Sequence, residues 1–340
     1  MAPPSITSFI EVLKTPAGLA GNLHTIRDDA LLLLTASIWG FAFVAQRAGM
    51  EFIGPFLFNG VRFALGSIAL LPLICIRQRR MGRRRVEQAG PASIVAPRAA
   101  GPAGLFTTGL LLGAVLFLGA SLQQIGIIYT TAGKAGFITG LYVILVPISG
   151  LLWGQRAGWG RWAGAALAVA GLYLLSVTGS FSIARGDFLV LLSALFWTAH
   201  VQLLARYSPR VDPIRLACAQ FAVCSVSSLI AAFFTEKVHT PAIVAAAVPI
   251  LYGGLFSVGI AYTLQVVVQK TAHPAHASII LSMEGVFAVL GGWLLLGEWL
   301  SVRGFVGCGL MLAGMIFSQA SLLGNPSLGE AQWDHRRGDG

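Results

Sequence analysis

Ten stretches of apolar residues follow one another along the chain, near 30–48, 55–76, 104–128, 132–153, 159–178, 187–206, 213–234, 244–268, 275–297 and 303–322. Charge, proline or glycine bounds each one. A helix needs about 20 apolar residues to cross roughly 30 Å of hydrocarbon. In lipid the backbone polar groups must be satisfied within the segment, which makes such stretches helices. The pattern therefore predicts an all-α membrane protein of ten transmembrane helices. Glycines inside the stretches, such as Gly160 and Gly164, suit them, because small residues let membrane helices pack closely.

Polar tails flank the helices. Residues 1–29 mix Pro with Glu11, His24 and Arg27-Asp28-Asp29, and lack the continuous apolar core of a signal peptide. Residues 323–340 form a second polar tail, with too little apolar surface from Asn325 onward to build a core. Only 11% of the residues are charged, against about 25% in soluble domains, so water is not the main solvent. The formal net charge of +10 would suit nucleic acid, but its placement argues for topology. Assigning Lys and Arg to alternate sides puts seventeen on one, including the run from Arg77 to Arg85. The other side holds five: Arg47, Lys134, Arg185, Lys237 and Arg303. The rich side is cytoplasmic, so both termini are predicted inside and the basic loop 77–101 lies at the inner surface of the membrane. No aromatic residues interleave that loop, so it reads as a contact for anionic headgroups and not for nucleic acid. The four cysteines, Cys75, Cys218, Cys224 and Cys308, lie in apolar stretches without a Cys-x-x-Cys pair. They read as small packing residues.

The second half of the chain repeats the first. At a shift of 158, Asp29, Trp39, Pro55 and Phe63 meet Asp187, Trp197, Pro213 and Phe221. Beyond the basic loop the shift becomes 142 to 143. Leu122-Gln123 then meets Leu264-Gln265, and Gly154, Gly164 and Gly171 meet Gly297, Gly307 and Gly314. This divides the chain into repeats at 30–178 and 179–322. Five helices is an odd number, so the second copy must enter the membrane from the opposite side. Two inverted five-helix repeats are the architecture of many secondary transporters.

The same residues resemble a known family. Trp39-Gly40, Pro55 with Arg62, AGKAGFITGLYVILVP at 132–147, and Gly297-Glu298 followed by Gly307 and Gly314 look like the EamA family of the drug/metabolite transporter superfamily. The resemblance covers about residues 30–322. It implies a carrier that exports amino acids, other metabolites or toxic compounds without hydrolysing ATP. No phosphate-cradling loop ending in Lys-Ser or Lys-Thr is present. Two departures stand out: Gly154-Gln155 where Gly-Glu is frequent, and Glu284-Gly285 where Glu-Pro is common.

An ionisable group deep in a membrane is a functional candidate. Glu284 lies about ten residues into the ninth stretch, roughly 15 Å by helical rise. It is a candidate to bind a substrate amine or carry a proton, against the plainer role of bonding a neighbouring helix. Its repeat mate is Tyr142. Arg62 sits about two turns into the second stretch, suited to a substrate carboxylate or to snorkelling outward. Its mate is Gln220, an asymmetry expected of a site for one polar substrate. Trp39 and Trp197, matched and central, would wall a cavity or pack against lipid. His200 is a second candidate for proton coupling, against a packing role. Gln123, Gln124, Tyr129, Tyr252, Tyr262 and Gln265 add polar handles. Lys134 reads as an interfacial anchor. His273 and His276 have metal-like spacing but no further ligands in view, so no metal and no cofactor is expected. Gly304, Gly307 and Gly314 read as packing residues between the halves or between protomers of a homodimer.

The expectation is a secondary active transporter in a bacterial inner membrane, not an enzyme. It would export a small metabolite such as an amino acid by rocking of the inverted halves. The substrate would bind among Trp39, Arg62, Tyr142, Trp197 and Glu284. A multidrug exporter of the same fold is the first alternative. A membrane enzyme acting on lipid-linked substrates would want clustered acidic residues at a membrane face, and Asp28-Asp29 better suits a helix N-terminus.

Overall fold

A computed structural model of the chain describes residues 16–87, 102–149, 158–177, 183–207, 211–268, 277 and 280–323. Among the described residues, six helices are long and apolar enough to cross a bilayer: Ile26–Gly49, Pro55–Arg79, Gly104–Tyr129, Arg185–Leu204, Pro213–Thr235 and Ala247–Gln265. Four shorter apolar helices, Ala132–Val146, Trp162–Ser176, Glu284–Leu296 and Val302–Ser318, fall in the remaining expected segments. Among the described residues the only strand-like pairing is an isolated bridge between Val177 and Ile183. The C-terminal tail, His273 and His276 lie outside the described residues, as does most of the basic loop.

In chain order the first half comprises α1 (Pro16–Gly49), α2 (Pro55–Glu87), α3 (Pro102–Gly126), α4 (Ala132–Gly140), α5 (Tyr142–Ser149) and α6 (Trp159–Ser176). The second half comprises α7 (Arg185–Tyr207), α8 (Pro213–Thr235), α9 (Thr240–Ala245) and α10 (Ala247–Leu251). A π-helical stretch (Tyr252–Ala261), α11 (Tyr262–Val268), α12 (Glu284–Leu296) and α13 (Val302–Leu323) complete it. The first helix begins at Pro16, well inside the expected polar tail. Asp28 and Asp29 therefore lie within a helix and not at its N-terminus.

Two expected helices are interrupted at matched points. The fourth stretch breaks at Leu141, whose amide bonds back to Ile138 at 3.2 Å, and α5 starts at Tyr142. The ninth breaks at Ser282-Met283, where the Met283 amide bonds to Ile280 at 3.1 Å, and α12 starts at Glu284. These three-residue bonds tighten the turn and shift the axis. Tyr142 and Glu284, repeat mates, thus each open a new helical segment instead of sitting mid-helix. The eighth stretch departs from one continuous helix as well, because π-helical turns replace its centre.

The halves interleave. α2 packs on α8 and α6 on α13, so two helices pair with their own repeat mates, while α4 packs on α12, the mate of α5. Other contacts come in matched sets: α3 with α7 and the π stretch with α1, α3 with α8 and the π stretch with α2. Glycines make the closest approaches. A Cβ on Gly164 would meet the Gly314 carbonyl oxygen at 2.6 Å, and one on Gly314 would meet that of Gly164 at 2.5 Å. Gly171 and Gly307 are related in the same reciprocal way, at 2.5 and 2.7 Å. These glycines therefore join the halves. Gly304 does not belong to the seam, since its nearest neighbours are Leu300 and Ser301 of its own turn. A second tight contact seats α12. Gly40 approaches Phe287 and the Glu284 carbonyl, Gly133 approaches Val289, and Gly136 approaches Ala288. The Trp39-Gly40 pair and the glycines of 132–140 thus hold α12 against α1 and α4.

Candidate functional site

The close packing of α12 fixes the start of that helix at the centre of the bundle. There a cavity of roughly 190 Å³ is walled by Trp39, Arg62, Tyr142, Trp197, His200 and Glu284, with Gln46, Phe63, Gln123, Thr139, Phe221, Ser257, Tyr262 and Gln265 among the others. All six residues singled out from the sequence meet here, although they come from α1, α2, α5, α7 and α12. Of the other polar candidates, Gln123, Tyr262 and Gln265 reach the wall. Tyr129 is exposed, Gln124 bonds the Gln46 carbonyl at 3.2 Å, and Tyr252 bonds the Ile38 carbonyl at 3.2 Å.

Arg62 is buried. Its Nε donates to Asn59 Oδ1 at 2.9 Å. Asn59, fully buried, is held in turn by donating to the Ala120 carbonyl at 3.0 Å. The guanidinium lies 4.8 Å from the Phe63 ring centroid and 5.7 Å from that of Phe58. This brace aims the planar head while leaving its terminal nitrogens available for the paired bonds that suit a carboxylate. Glu284 is equally buried, and its Oε1 has no hydrogen-bond partner among the described residues. The ion pairs there are Arg27–Asp28, Arg77–Asp212 and Lys134–Asp187, none involving Arg62 or Glu284. Two ionisable groups of opposite sign therefore face one small space, each without a counter-ion among the described residues. A buried charge of that kind is costly unless something pairs with it.

The aromatic walls are braced rather than turned to lipid. Trp197 Nε1 donates to Gln123 Oε1 at 2.8 Å, and Gln123 Nε2 donates to Gln46 Oε1 at 3.0 Å. Trp39 Nε1 donates to the Ser257 carbonyl at 3.1 Å, within the π-helical stretch. His200 Nε2 lies 2.7 Å from Gln220 Oε1, and Gln220 Nε2 donates to Tyr262 Oη at 3.4 Å. Gln220 is the repeat mate of Arg62, so one half supplies a cation and the other a neutral relay to His200. Sequence reasoning missed Gln46, Asn59 and Ser257. Nothing in periodicity separates a buried Asn or Gln from any other polar residue of a membrane helix.

Lys134, read from the sequence as an interfacial anchor, has a specific partner. It pairs with fully buried Asp187 at 3.1 Å, which also accepts a hydrogen bond from Thr130. The cysteines are all free thiols, with Cys75 exposed and Cys224 and Cys308 buried.

An all-helical bundle of two repeats around a small, charged central cavity is the architecture of a membrane carrier. The profile of the EamA-like transporter family matches this chain twice, over residues 28–177 and 184–319, and the chain belongs to that family. It is 32% identical over 311 residues to an uncharacterized transporter of Archaeoglobus fulgidus, covering 90% of each chain. A probable terminal-alkyne amino-acid exporter of Streptantibioticus cattleyicolor is 26% identical over 307 residues, covering 86% of this chain and 93% of that one. A solved crystal structure superposes with a TM-score of 0.58 at 18% identity, covering 85% of this chain and 96% of that one, and shares the fold.

Proposed function

We propose that this transporter is a secondary carrier in a bacterial inner membrane, both termini cytoplasmic, exporting a small zwitterionic metabolite such as an amino acid. One observation carries the reading: Arg62 and Glu284 face the same cavity with no counter-ion among the described residues. A zwitterion supplies both missing partners. Its carboxylate would meet the braced guanidinium and its ammonium the Glu284 carboxylate, with Trp39 and Trp197 flanking the side chain. The cavity of roughly 190 Å³ is smaller than the approximately 300–1,000 Å³ that drug-sized ligands occupy, which favours a metabolite over a multidrug substrate. The relative named as an amino-acid exporter points the same way.

Alternating access would turn on the matched breaks at Leu141 and Ser282-Met283, since interrupted helices let a segment swing about a central site. The moving bodies would mix the repeats, because α2–α8, α4–α12 and α6–α13 pair across them. This replaces rocking of one sequence half against the other. Glu284 would release its proton to take the ammonium, or rebind it on the empty return, giving proton coupling, with His200 beside the route.

The test is counterflow in proteoliposomes. Vesicles are loaded with each of a panel of unlabelled amino acids, and the labelled species is added with and without a pH gradient. Saturable accumulation of a few amino acids supports the proposal, and a response to the gradient supports proton coupling. Accumulation of lipophilic cations without amino acids would reject it in favour of drug export.

A further inference from the structure

At one end of the bundle, carboxylates of the second half grip helix N-termini of the first. Glu236, just past α8, accepts from the Phe56 amide through Oε1 at 2.7 Å and from the Leu57 amide through Oε2 at 2.9 Å. Glu298, just past α12, accepts from the Ala132 amide through both oxygens, at 3.0 and 2.9 Å. Each carboxylate thus satisfies otherwise orphaned amides at the positive end of a helix dipole. Local backbone chemistry allows the reach. Gly54 leaves room for the Glu236 carboxylate, which a Cβ there would meet at 2.1 Å. Gly297 has φ of 63°, a left-handed turn that glycine adopts without strain, and it swings Glu298 back toward α4.

Among the described residues, the first fastening is not repeated at the opposite end, and in the sequence both glutamates have neutral mates. At the shift of 158, Phe56, Leu57, Gly54 and Glu236 correspond to Ile214, Arg215, Asp212 and Gln78. The Ile214 and Arg215 amides are capped by Asp212 of their own segment, at 3.0 and 3.1 Å. Gln78 is neutral and exposed. The mate of Glu298 is Gln155, neutral as well and outside the described residues. The cross-half ion pair at that end, Arg77–Asp212 at 3.5 Å, is partly exposed, and such pairs contribute little.

We propose that Glu236 and Glu298 are the latches of the outer gate, and that their one-sided placement makes the cavity rest open toward the cytoplasm. The inference rests on the carrier reading and on the orientation given by Lys and Arg, which puts both glutamates outside. Gln46 and Gln123 bond each other on the outer side of the cavity, while Leu204 and Gln265 line it toward the cytoplasmic ends of their helices. A charge-assisted bond is roughly twice as strong as a neutral one, so two charged latches facing two glutamines bias the two-state equilibrium.

The test reads access to the cavity without any substrate, so a failure to exchange amino acids would leave it standing. Cys75, Cys218, Cys224 and Cys308 are replaced by alanine, and Ala42, on the cavity wall, becomes the reporter Ala42→Cys. An impermeant maleimide is added from either side. The parent should label from the cytoplasmic side, and Glu236→Gln with Glu298→Gln should raise outer labelling roughly tenfold. The reciprocal pair, Gln78→Glu with Asp212→Gly, installs the outer geometry inside and should lower cytoplasmic labelling. If the glutamate variants misfold, the reciprocal pair decides alone. Unchanged labelling in folded variants overturns the proposal. So does a Lys237→Cys reporter that labels only from the cytoplasm, which would place the latches on the other face.

Discussion

The α6–α13 seam and the central cavity descend from the same repeat, yet one has stayed symmetric and the other has not. In the seam, Gly164 meets Gly314 and Gly171 meets Gly307, with near-identical approaches from either side. Around the cavity, Trp39 and Trp197 are matched, but the repeat mate of Arg62 is Gln220 and that of Tyr142 is Glu284. A packing contact on a pseudo-twofold axis is satisfied by identical residues. A site for one asymmetric molecule is not, since the two ends of a zwitterion need opposite partners. Under the proposed function, the retained glycine symmetry of the seam serves packing, and the Arg62/Gln220 and Tyr142/Glu284 differences serve recognition.

The largest expected effect comes from the cavity. Glu284→Gln keeps the shape and removes the charge, and should cut amino-acid exchange about 100-fold, the loss of a charged hydrogen bond worth ~3 kcal/mol. Thermal unfolding in detergent should be nearly unchanged, because the amide fills the volume of the carboxyl group. Normal exchange would break the comparison. Arg62→Gln restores repeat symmetry with Gln220. It should raise the KM for carboxylate substrates roughly 10- to 100-fold, with far less effect on amines lacking a carboxylate.

The seam should answer in stability instead. Gly314→Val places a branched side chain against the Gly164 carbonyl, costing about 1–3 kcal/mol by overpacking. The Tm should fall while the folded fraction keeps its KM. Trp197→Phe should raise KM only about fivefold, a hydrogen bond to Gln123 being worth ~1 kcal/mol. The smallest effect is the control Gly309→Ala on the same helix α13. Nothing lies within 4 Å of a Cβ there, so alanine should gain roughly 0.5–1 kcal/mol of helix stability.

Much of the cavity lining was legible because ionisable residues are rare in membrane segments. Arg62, Glu284 and His200 stand out against apolar neighbours, and repeat matching picked out Trp39, Trp197 and Tyr142. Asn59, Gln46 and Ser257 were not legible, because they act by bracing a neighbour and that role exists only in three dimensions. The ion pair of Lys134 was not legible for the same reason. Its partner Asp187 is fifty-three residues away, and no local pattern joins them.

The sequence by itself determined the all-helical class, the run of apolar segments and the repeat. Each follows from the cost of an unsatisfied backbone in lipid and from residue matching along one line. Only the tertiary structure decided that the fourth and ninth segments break just before Tyr142 and Glu284, that the halves interleave, and that Arg62 and Glu284 share one cavity. Those outcomes depend on close approaches between distant glycines and on which buried groups meet. Such contacts are set by packing in space, and a one-dimensional hydropathy pattern carries no record of them.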